Sequence, residues 1–216
     1  MTNLIIDYDG TLHDSIIIYA PAFRLAYEHL VLLGLAQARN WKDSEISKWL
    51  GFSSKDMWDD FMPDLPQIRK DECDRLIGGT MLKLVSEGKA RLYFRALETL
   101  QKLKNEGYNL IFLSNCKNSY MQMHIKHFHL DEYFAAFYCG EDFGFMPKHV
   151  IFNSIKENHS GDYVVIGDRF HDMEIAQRHG LKSIGCTYGY GEEWEFSSST
   201  TTVSRVEDIV FAVNRI

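Results

Sequence analysis

The chain of 216 residues lacks the features that define several broad classes of protein. Its longest apolar stretch, near residues 30–36, is far shorter than the ~20 residues that a bilayer-spanning helix requires. The amino terminus has no basic region and reaches acidic residues within its first ten positions, which is not typical of a secretory signal. The sequence therefore predicts a soluble, cytoplasmic protein that does not interact with a membrane.

Cysteine is scarce as well. The four cysteines stand at positions 73, 116, 139 and 186, with no CxxC pair and no spacing typical of a zinc site. This pattern predicts buried free thiols in a reducing compartment and argues against a disulfide framework.

Basic residues are fewer than acidic ones, 23 against 30, and the formal net charge is −7. A general nucleic-acid binder or a binder of anionic membranes normally presents a basic face, so we expect neither partner. A small anionic substrate remains compatible with this balance, because a site can carry local positive charge of its own.

The chain does contain enough apolar residues, 45% of the total, to bury a large core without disulfides or a structural metal. Short apolar runs that end in polar or glycine-rich turns predict strands at 4–8, 109–113, 163–166 and 183–187, and a weaker one at 135–139. Amphipathic patterns between them predict helices at 94–106, 119–128, 149–157 and 172–179. This alternation predicts an α/β fold with a doubly wound, Rossmann-like parallel sheet.

Residues 15–87 interrupt the alternation, because they contain no convincing strand and show helical patterns at 22–33, 44–50, 54–61 and 67–85. About 70 residues is several times the length of an ordinary crossover connection. We therefore predict an α-helical cap domain at 15–87, inserted into a core domain formed by residues 1–14 and 88–216. A polar segment at 197–202 is predicted to be a loop.

Four aspartates stand where predicted strands end, and these are Asp7, Asp9, Asp168 and Asp172. Ligands of open parallel sheets bind at that edge. Each aspartate taken alone is better explained as a turn or helix-cap residue, because aspartate is common there. Together they predict a site for a hard divalent cation, and oxygen ligands without a nearby histidine or cysteine favour Mg²⁺ over zinc.

Other strand ends supply groups that suit an anionic ligand. Ser114 and Asn115 follow one predicted strand, and their side chains and turn amides can hold a phosphoryl oxygen. Lys148 precedes a predicted helix and can pair with an anion or with Asp7, while Gly10 allows a close turn of the backbone.

These motifs resemble the haloacid-dehalogenase-like hydrolases. LIIDYDGTLHDS at 4–15 resembles the first motif, hhhDxDGTLxDS; LSN at 113–115 resembles the second, Lys148 the third, and IGDRFHDM at 166–173 the fourth, GDxxxD. The helical insertion after the first motif, and GCTYGYGEEWEF at 185–196, are similar to the phosphoglycolate phosphatase-like branch. In many relatives the lysine comes before the proline, whereas here the order is Met-Pro-Lys at 146–148. We favour Lys148 for the lysine role, because a cation is required there and a long side chain can absorb the shift, and we keep Lys117 as the alternative.

The resemblance implies a phosphatase that uses Mg²⁺ and acts on a small phosphomonoester. Asp7 would be the nucleophile, and Asp9 the general acid and then the general base. Gly10, Thr11, Ser114, Asn115 and Lys148 would bind the phosphoryl group, with Ser114 and Lys148 also stabilising its charge during transfer. The metal ligands would be Asp7, Asp168, the main-chain carbonyl of Asp9 and, through water, Asp172.

Two alternatives remain open. A sugar phosphomutase would use the same aspartyl-phosphate but would need cap groups to reorient an intermediate, and residues 50–58 lack the histidine and arginine pattern of such enzymes. A phospho-accepting or binding module without turnover is the second alternative. The expected partner is a small phosphorylated metabolite, and the chain is expected to be a monomer or a homodimer.

Overall fold

A computed structural model describes all residues, 1–216, and contains one sheet of six parallel strands. The strand order is β3-β2-β1-β4-β5-β6, and every neighbouring pair is parallel. The strands are β1 (Thr2–Ile6), β2 (Asn109–Ser114), β3 (Ala136–Cys139), β4 (Asp162–Gly167), β5 (Lys182–Cys186) and β6 (Thr201–Val203). The order reverses at β1, so the chain winds outwards in both directions, and the predicted doubly wound fold is confirmed.

Helices cover both faces of the sheet because alternate strand residues point to opposite sides. The even residues Leu4 and Ile6 pack with α5 (Ala96–Asn105), α6 (Asn118–Phe128) and α9 (Asp208–Val213). The odd residue Ile5 lies on the other face, against α7 (Lys148–Asn158) and α8 (Phe170–His179). Burial on both faces explains why these strands are apolar throughout rather than alternating.

Two strands of the sheet differ from the sequence-based expectation. The polar segment that we predict to be a loop at 197–202 runs into strand β6, which pairs only with β5 at the edge of the sheet. An edge strand of three residues needs little apolar burial, so it leaves no hydrophobic run to detect. The first strand ends at Ile6, two residues before its apolar pattern does, because the chain turns at Tyr8.

The chain between β1 and α5 is helical, as predicted. Its helices are α1 (Ile16–Leu32), α2 (Asp43–Ile46), α3 (Ser54–Phe61) and α4 (Gln67–Ser86). The first begins six residues earlier than its pattern suggests, so that Pro21 lies inside it. No helix of the structure combines the length and the hydropathy of a membrane span.

These cap helices enclose a hydrophobic core of their own. It contains 15 buried residues from positions 19–77, whereas both clusters of the sheet are formed by other parts of the chain. Phe23 lies at its centre and packs against the rings of Trp41, Trp49 and Phe61. The cap is therefore a separately packed unit, and the boundaries at 15 and 87 stay a prediction.

We expect Phe23→Ala to lower the free energy of unfolding by about 3–5 kcal/mol, because the ring is 1% exposed and its removal leaves a cavity among aromatic side chains. Urea denaturation measures the change. Phe94→Ala is the matched control, since that ring is 77% exposed and its loss should change stability by about 0.5 kcal/mol or less. Equal effects of the two substitutions would contradict an independent cap core.

Candidate active site

Three carboxylates meet at the carboxyl ends of the two central strands. Asp7 directly follows β1, Asp168 directly follows β4, and Asp172 lies in the first turn of α8. All three are buried, and one oxygen of each lies within 4.8 Å of the others. The strand order reverses at this edge, which is where doubly wound sheets bind their ligands.

Lys148 is inserted into this group from the first turn of α7. Its Nζ donates to Oδ1 of Asp7 at 2.5 Å and to Oδ1 of Asp172 at 2.7 Å. The alternative for the lysine role, Lys117, forms an ion pair with Asp74 of the cap. The geometry therefore favours Lys148.

The charges of this cluster do not balance. Three carboxylates and one ammonium leave a formal charge of −2 among side chains that are almost fully buried. Burial raises the pKa of Asp7 to about 7 in spite of Lys148, and burial together with Asp7 raises the pKa of Asp168 well above its usual value. An all-oxygen donor set of this charge fits a divalent cation such as Mg²⁺.

Asp168 is enclosed by backbone that approaches it closely. Its Oδ2 accepts a hydrogen bond from the backbone N–H of Tyr190 at 2.7 Å, and its Oδ1 accepts one from the Thr11 hydroxyl at 3.3 Å. Gly10 has φ of +88°, and a Cβ there would lie 2.1 Å from Oδ2 of Asp168. Glycine is required for both reasons.

Thr11 has a different place from the one expected for a residue that binds substrate. Its side chain is fully buried and donates to Asp168 at 3.3 Å and, at 3.4 Å, to Oδ2 of Asp7. Thr11 and Gly10 are also absent from the cavity described below. Thr11 therefore contacts two carboxylates of the cluster and Gly10 leaves room for one of them, while their predicted role in binding the phosphoryl group stays a prediction.

Asp9 does not join the carboxylate cluster, and the expectation of four converging carboxylates is wrong for its side chain. Because the strand ends at Ile6, the chain turns and directs this carboxylate towards α6. Its Oδ1 accepts hydrogen bonds from Ser15 at 2.5 Å, from Tyr120 at 2.7 Å and from Nδ1 of His13 at 3.1 Å. Burial alone would raise the pKa of Asp9, but the bonds from His13 and Ser15 hold it below its usual value.

His13 and Tyr120 both contact Asp9, and the sequence gives no indication of either contact. His13 occupies the variable position of the DGTLxDS pattern, and Tyr120 lies 111 residues from Asp9, so neither spacing carries a signal. His124 lies behind them, with Nδ1 2.7 Å from the Tyr8 hydroxyl. Burial lowers the pKa of His124 to about 3, so it is neutral.

A cavity of about 150 Å³ lies between the sheet and the cap, and Asp7, Asp9, Ser114 and Asn115 line one end of it. Ser114 is buried at the end of β2. The cap segment 49–54 lines the opposite wall, and its Ser53 also caps α3 by accepting a hydrogen bond from Asp56 N.

One set of contacts between the cap and the core is made by backbone carbonyls of residues 48–51. Arg169, next to Asp168, donates to the carbonyls of Leu50 and Lys48, and its Nε donates to Glu195 at 3.0 Å. Asn115 donates to the carbonyl of Gly51 at 2.9 Å. Asn115 of the second motif and Arg169 of the fourth motif therefore hold the cap against the core. Motif spacing alone does not reveal this role.

The fold and these motifs define a known class. A model of the haloacid dehalogenase-like hydrolase family matches residues 4–186, and the chain belongs to this family. It is similar to the phosphoglycolate phosphatase of Pectobacterium atrosepticum, with 24% identity over 96% of this chain and 90% of the relative. It is also similar to the phosphoglycolate phosphatase of Aliivibrio fischeri, with 26% identity over 91% of this chain and 88% of the relative. A solved structure of a predicted phosphatase from Clostridium acetobutylicum shares the fold, with a TM-score of 0.85 and 21% identity over 100% of this chain and 99% of the other. The predicted family, branch and enzyme class, a hydrolase of phosphatase type, are confirmed.

We expect Gly10→Ala to abolish activity, because the new Cβ would displace the carboxylate of Asp168 and the backbone would keep an unfavourable positive φ. The measurement is hydrolysis of p-nitrophenyl phosphate with Mg²⁺. Gly34→Ala is the matched control: its φ is +71° but no atom lies within 4 Å of the new Cβ, so only about 1–2 kcal/mol of stability should be lost. An active Gly10→Ala enzyme would contradict the crowding around Asp168.

We also expect Mg²⁺ to bind more weakly below pH 7. A proton occupies Asp7 below its pKa of about 7 in the metal-free protein, and the cation must displace it; above that pH the carboxylate is free. Calorimetric titration between pH 6 and pH 8 should show affinity rising by up to about tenfold per pH unit. Asp7→Asn, which has no proton to displace at this position, should bind with a smaller pH dependence. Equal affinity of the wild type at pH 6 and pH 8 would contradict the raised pKa.

Proposed function

We propose that the protein is a Mg²⁺-dependent phosphatase that hydrolyses a small phosphomonoester through an aspartyl-phosphate on Asp7. The observation that carries the proposal is the position of this carboxylate, which lies at the end of the cavity and contacts the Lys148 ammonium at 2.5 Å. The family to which the chain belongs and the names of its relatives support phosphomonoester chemistry.

The bound Mg²⁺ would be held by Asp7, Asp168 and, through water, Asp172, with the Asp9 main-chain carbonyl as a further ligand, and would supply positive charge for the phosphoryl oxygens. Lys148 holds Asp7 in place and adds a second positive charge. Ser114 and Asn115 line the same end of the cavity and offer a hydroxyl and an amide to those oxygens.

In the first half-reaction the Asp7 carboxylate attacks phosphorus, and the bond between phosphorus and the leaving oxygen breaks. Asp9 gives its proton to that oxygen. In the free protein the pKa of Asp9 is low, and an adjacent phosphate dianion would raise it towards the protonated form that this step needs. In the second half-reaction Asp9 accepts a proton from water, whose oxygen attacks the acyl phosphate, and Asp7 and inorganic phosphate are released.

The structure offers little support for the phosphomutase alternative. Such an enzyme needs cap side chains that bind a second phosphoryl group, and none of the 22 residues that line the cavity is a histidine or an arginine. The alternative of a phospho-accepting module predicts a persistent acyl phosphate. It is distinguished from a phosphatase by turnover alone.

We expect the protein to release phosphate from p-nitrophenyl phosphate with Mg²⁺ and to lose this activity in EDTA. Asp7→Asn should lower kcat by about a thousandfold or more, because it removes the nucleophile while keeping the shape of the side chain. Asp14→Asn is a matched control: Asp14 is also an aspartate of the first motif, but it accepts a hydrogen bond from Tyr190 and lies outside the cavity. Full activity of Asp7→Asn, or indifference to EDTA, would overturn the proposal, and a stable acyl phosphate without turnover would favour the module.

A further inference from the structure

One wall of the cavity, formed mostly by the cap, is mainly apolar. Half of the 22 residues that line the cavity are hydrophobic, and most of these come from the cap. They include Leu50, Phe52, Met57, Ile77, Met81 and Phe145. A leaving group in contact with this wall loses its hydration without gaining hydrogen bonds, which is unfavourable for a charged group.

Phe145 contributes to this wall at a conformational cost. Its φ is +57°, a region that residues other than glycine rarely adopt, and it directly follows Gly144, whose φ is +62°. The backbone N–H of Phe145 donates to the carbonyl of Gly140 at 2.7 Å, which holds the turn. The strained turn directs an aromatic ring into the cavity three residues before Lys148.

Lys117 is the one cationic side chain that lines the cavity, and an ion pair already neutralises its charge. Lys117 lines the cavity but forms an ion pair with Asp74, which lines it too. The same carboxylate accepts a hydrogen bond from the Ser54 hydroxyl at 2.6 Å. No arginine or histidine lines the cavity, so a carboxylate or second phosphate on the leaving group would find no unpaired positive charge there.

Gly78 provides space beside this wall. It lies within α4 and lines the cavity, and no atom lies within 4 Å of the position that a Cβ would take. Glycine inside a helix costs about 1 kcal/mol relative to alanine. The adjacent Gly79 has the same open surroundings but is exposed and does not line the cavity, so the pair offers a matched comparison.

From these observations, and resting on the phosphatase activity proposed above, we infer that the substrate is a phosphomonoester whose leaving alcohol carries an uncharged, mainly apolar group. The apolar wall binds that group, and the paired Lys117 and Asp74 give no advantage to an anion. Phosphoglycolate, whose leaving group bears a carboxylate, is then a poor substrate, in contrast to the relatives that are named for it.

The test compares phenyl phosphate with 4-carboxyphenyl phosphate, which share a ring and differ by one carboxylate. With Mg²⁺, the wild type should hydrolyse phenyl phosphate with at least a tenfold higher kcat/KM. Equal values, or a preference for the carboxylated ester, would overturn the inference while leaving the proposed phosphatase intact. Hydrolysis of neither ester would overturn the proposed function together with the inference.

Substitutions at the ion pair test the reason for the preference. Asp74→Asn leaves the Lys117 ammonium without its carboxylate, so kcat/KM for 4-carboxyphenyl phosphate should rise about fivefold or more, while that for phenyl phosphate changes less than twofold. Asp74→Asn combined with Lys117→Met should restore the wild-type preference. An equal loss for both esters in Asp74→Asn would show a purely structural pair and would contradict its role in selection.

Gly78→Leu tests whether the leaving group contacts the apolar wall beside Gly78. Leucine suits the helix but would fill the space beside the cavity, so kcat/KM for phenyl phosphate should fall at least tenfold. Inorganic phosphate, which needs only the phosphoryl end, should inhibit with the wild-type constant. Gly79→Leu should leave both quantities unchanged. Equal behaviour of the two leucine variants would overturn the assignment of this wall.

Discussion

The structure depends on the burial of three carboxylates in one crevice at the centre of the sheet. Burial removes the hydration of Asp7 and Asp168 and, with the nearby charge of Asp172, raises the pKa of both carboxyl groups. Lys148 offsets one negative charge by contacting Asp7 and Asp172 together. The remaining negative charge fits a divalent cation, so the burial that disfavours these charges also makes the crevice suited to a metal ion. The overall charge of −7 is compatible with a phosphate substrate for the same reason.

The crevice also explains the glycines around it. A Cβ at Gly10, Gly167 or Gly189 would lie within 2.1–2.4 Å of the side chain of Asp168 or Asp172. Gly191 similarly leaves room for the carbonyl of Asp168, 2.0 Å from the position of its missing Cβ. These positions lie in three separate segments of the chain, yet all serve the same two aspartates. Close approach of backbone to the carboxylates, rather than flexibility, accounts for glycine there.

Much of this arrangement could be predicted because it depends on local patterns. Buried parallel strands are continuous apolar runs, and the residues that end them meet at one edge, so the sheet, the cap and the meeting of Asp7 with Asp168 follow from the sequence. The direction of the Asp9 side chain does not, because it depends on where the strand stops and on Tyr120, which is 111 residues away. The contact of Lys117 with Asp74 is equally non-local, and it decides that this lysine is not free to take the role of Lys148.

The connection between the cap and the core is made of groups that also hold the carboxylate site. Ser15 stands at the beginning of α1, where serine usually caps a helix, yet its hydroxyl donates to Asp9 at 2.5 Å and makes no cap. The adjacent backbone N–H of Ile16 donates to the Tyr190 hydroxyl, which itself donates to Asp14. The backbone N–H of Tyr190 donates to Asp168. The first cap helix therefore begins on hydrogen bonds shared with Asp9 and with the loop that holds Asp168, so a movement of the cap must change the surroundings of both carboxylates. The cap and the carboxylate site are therefore joined by these hydrogen bonds as well as by those of Arg169 and Asn115.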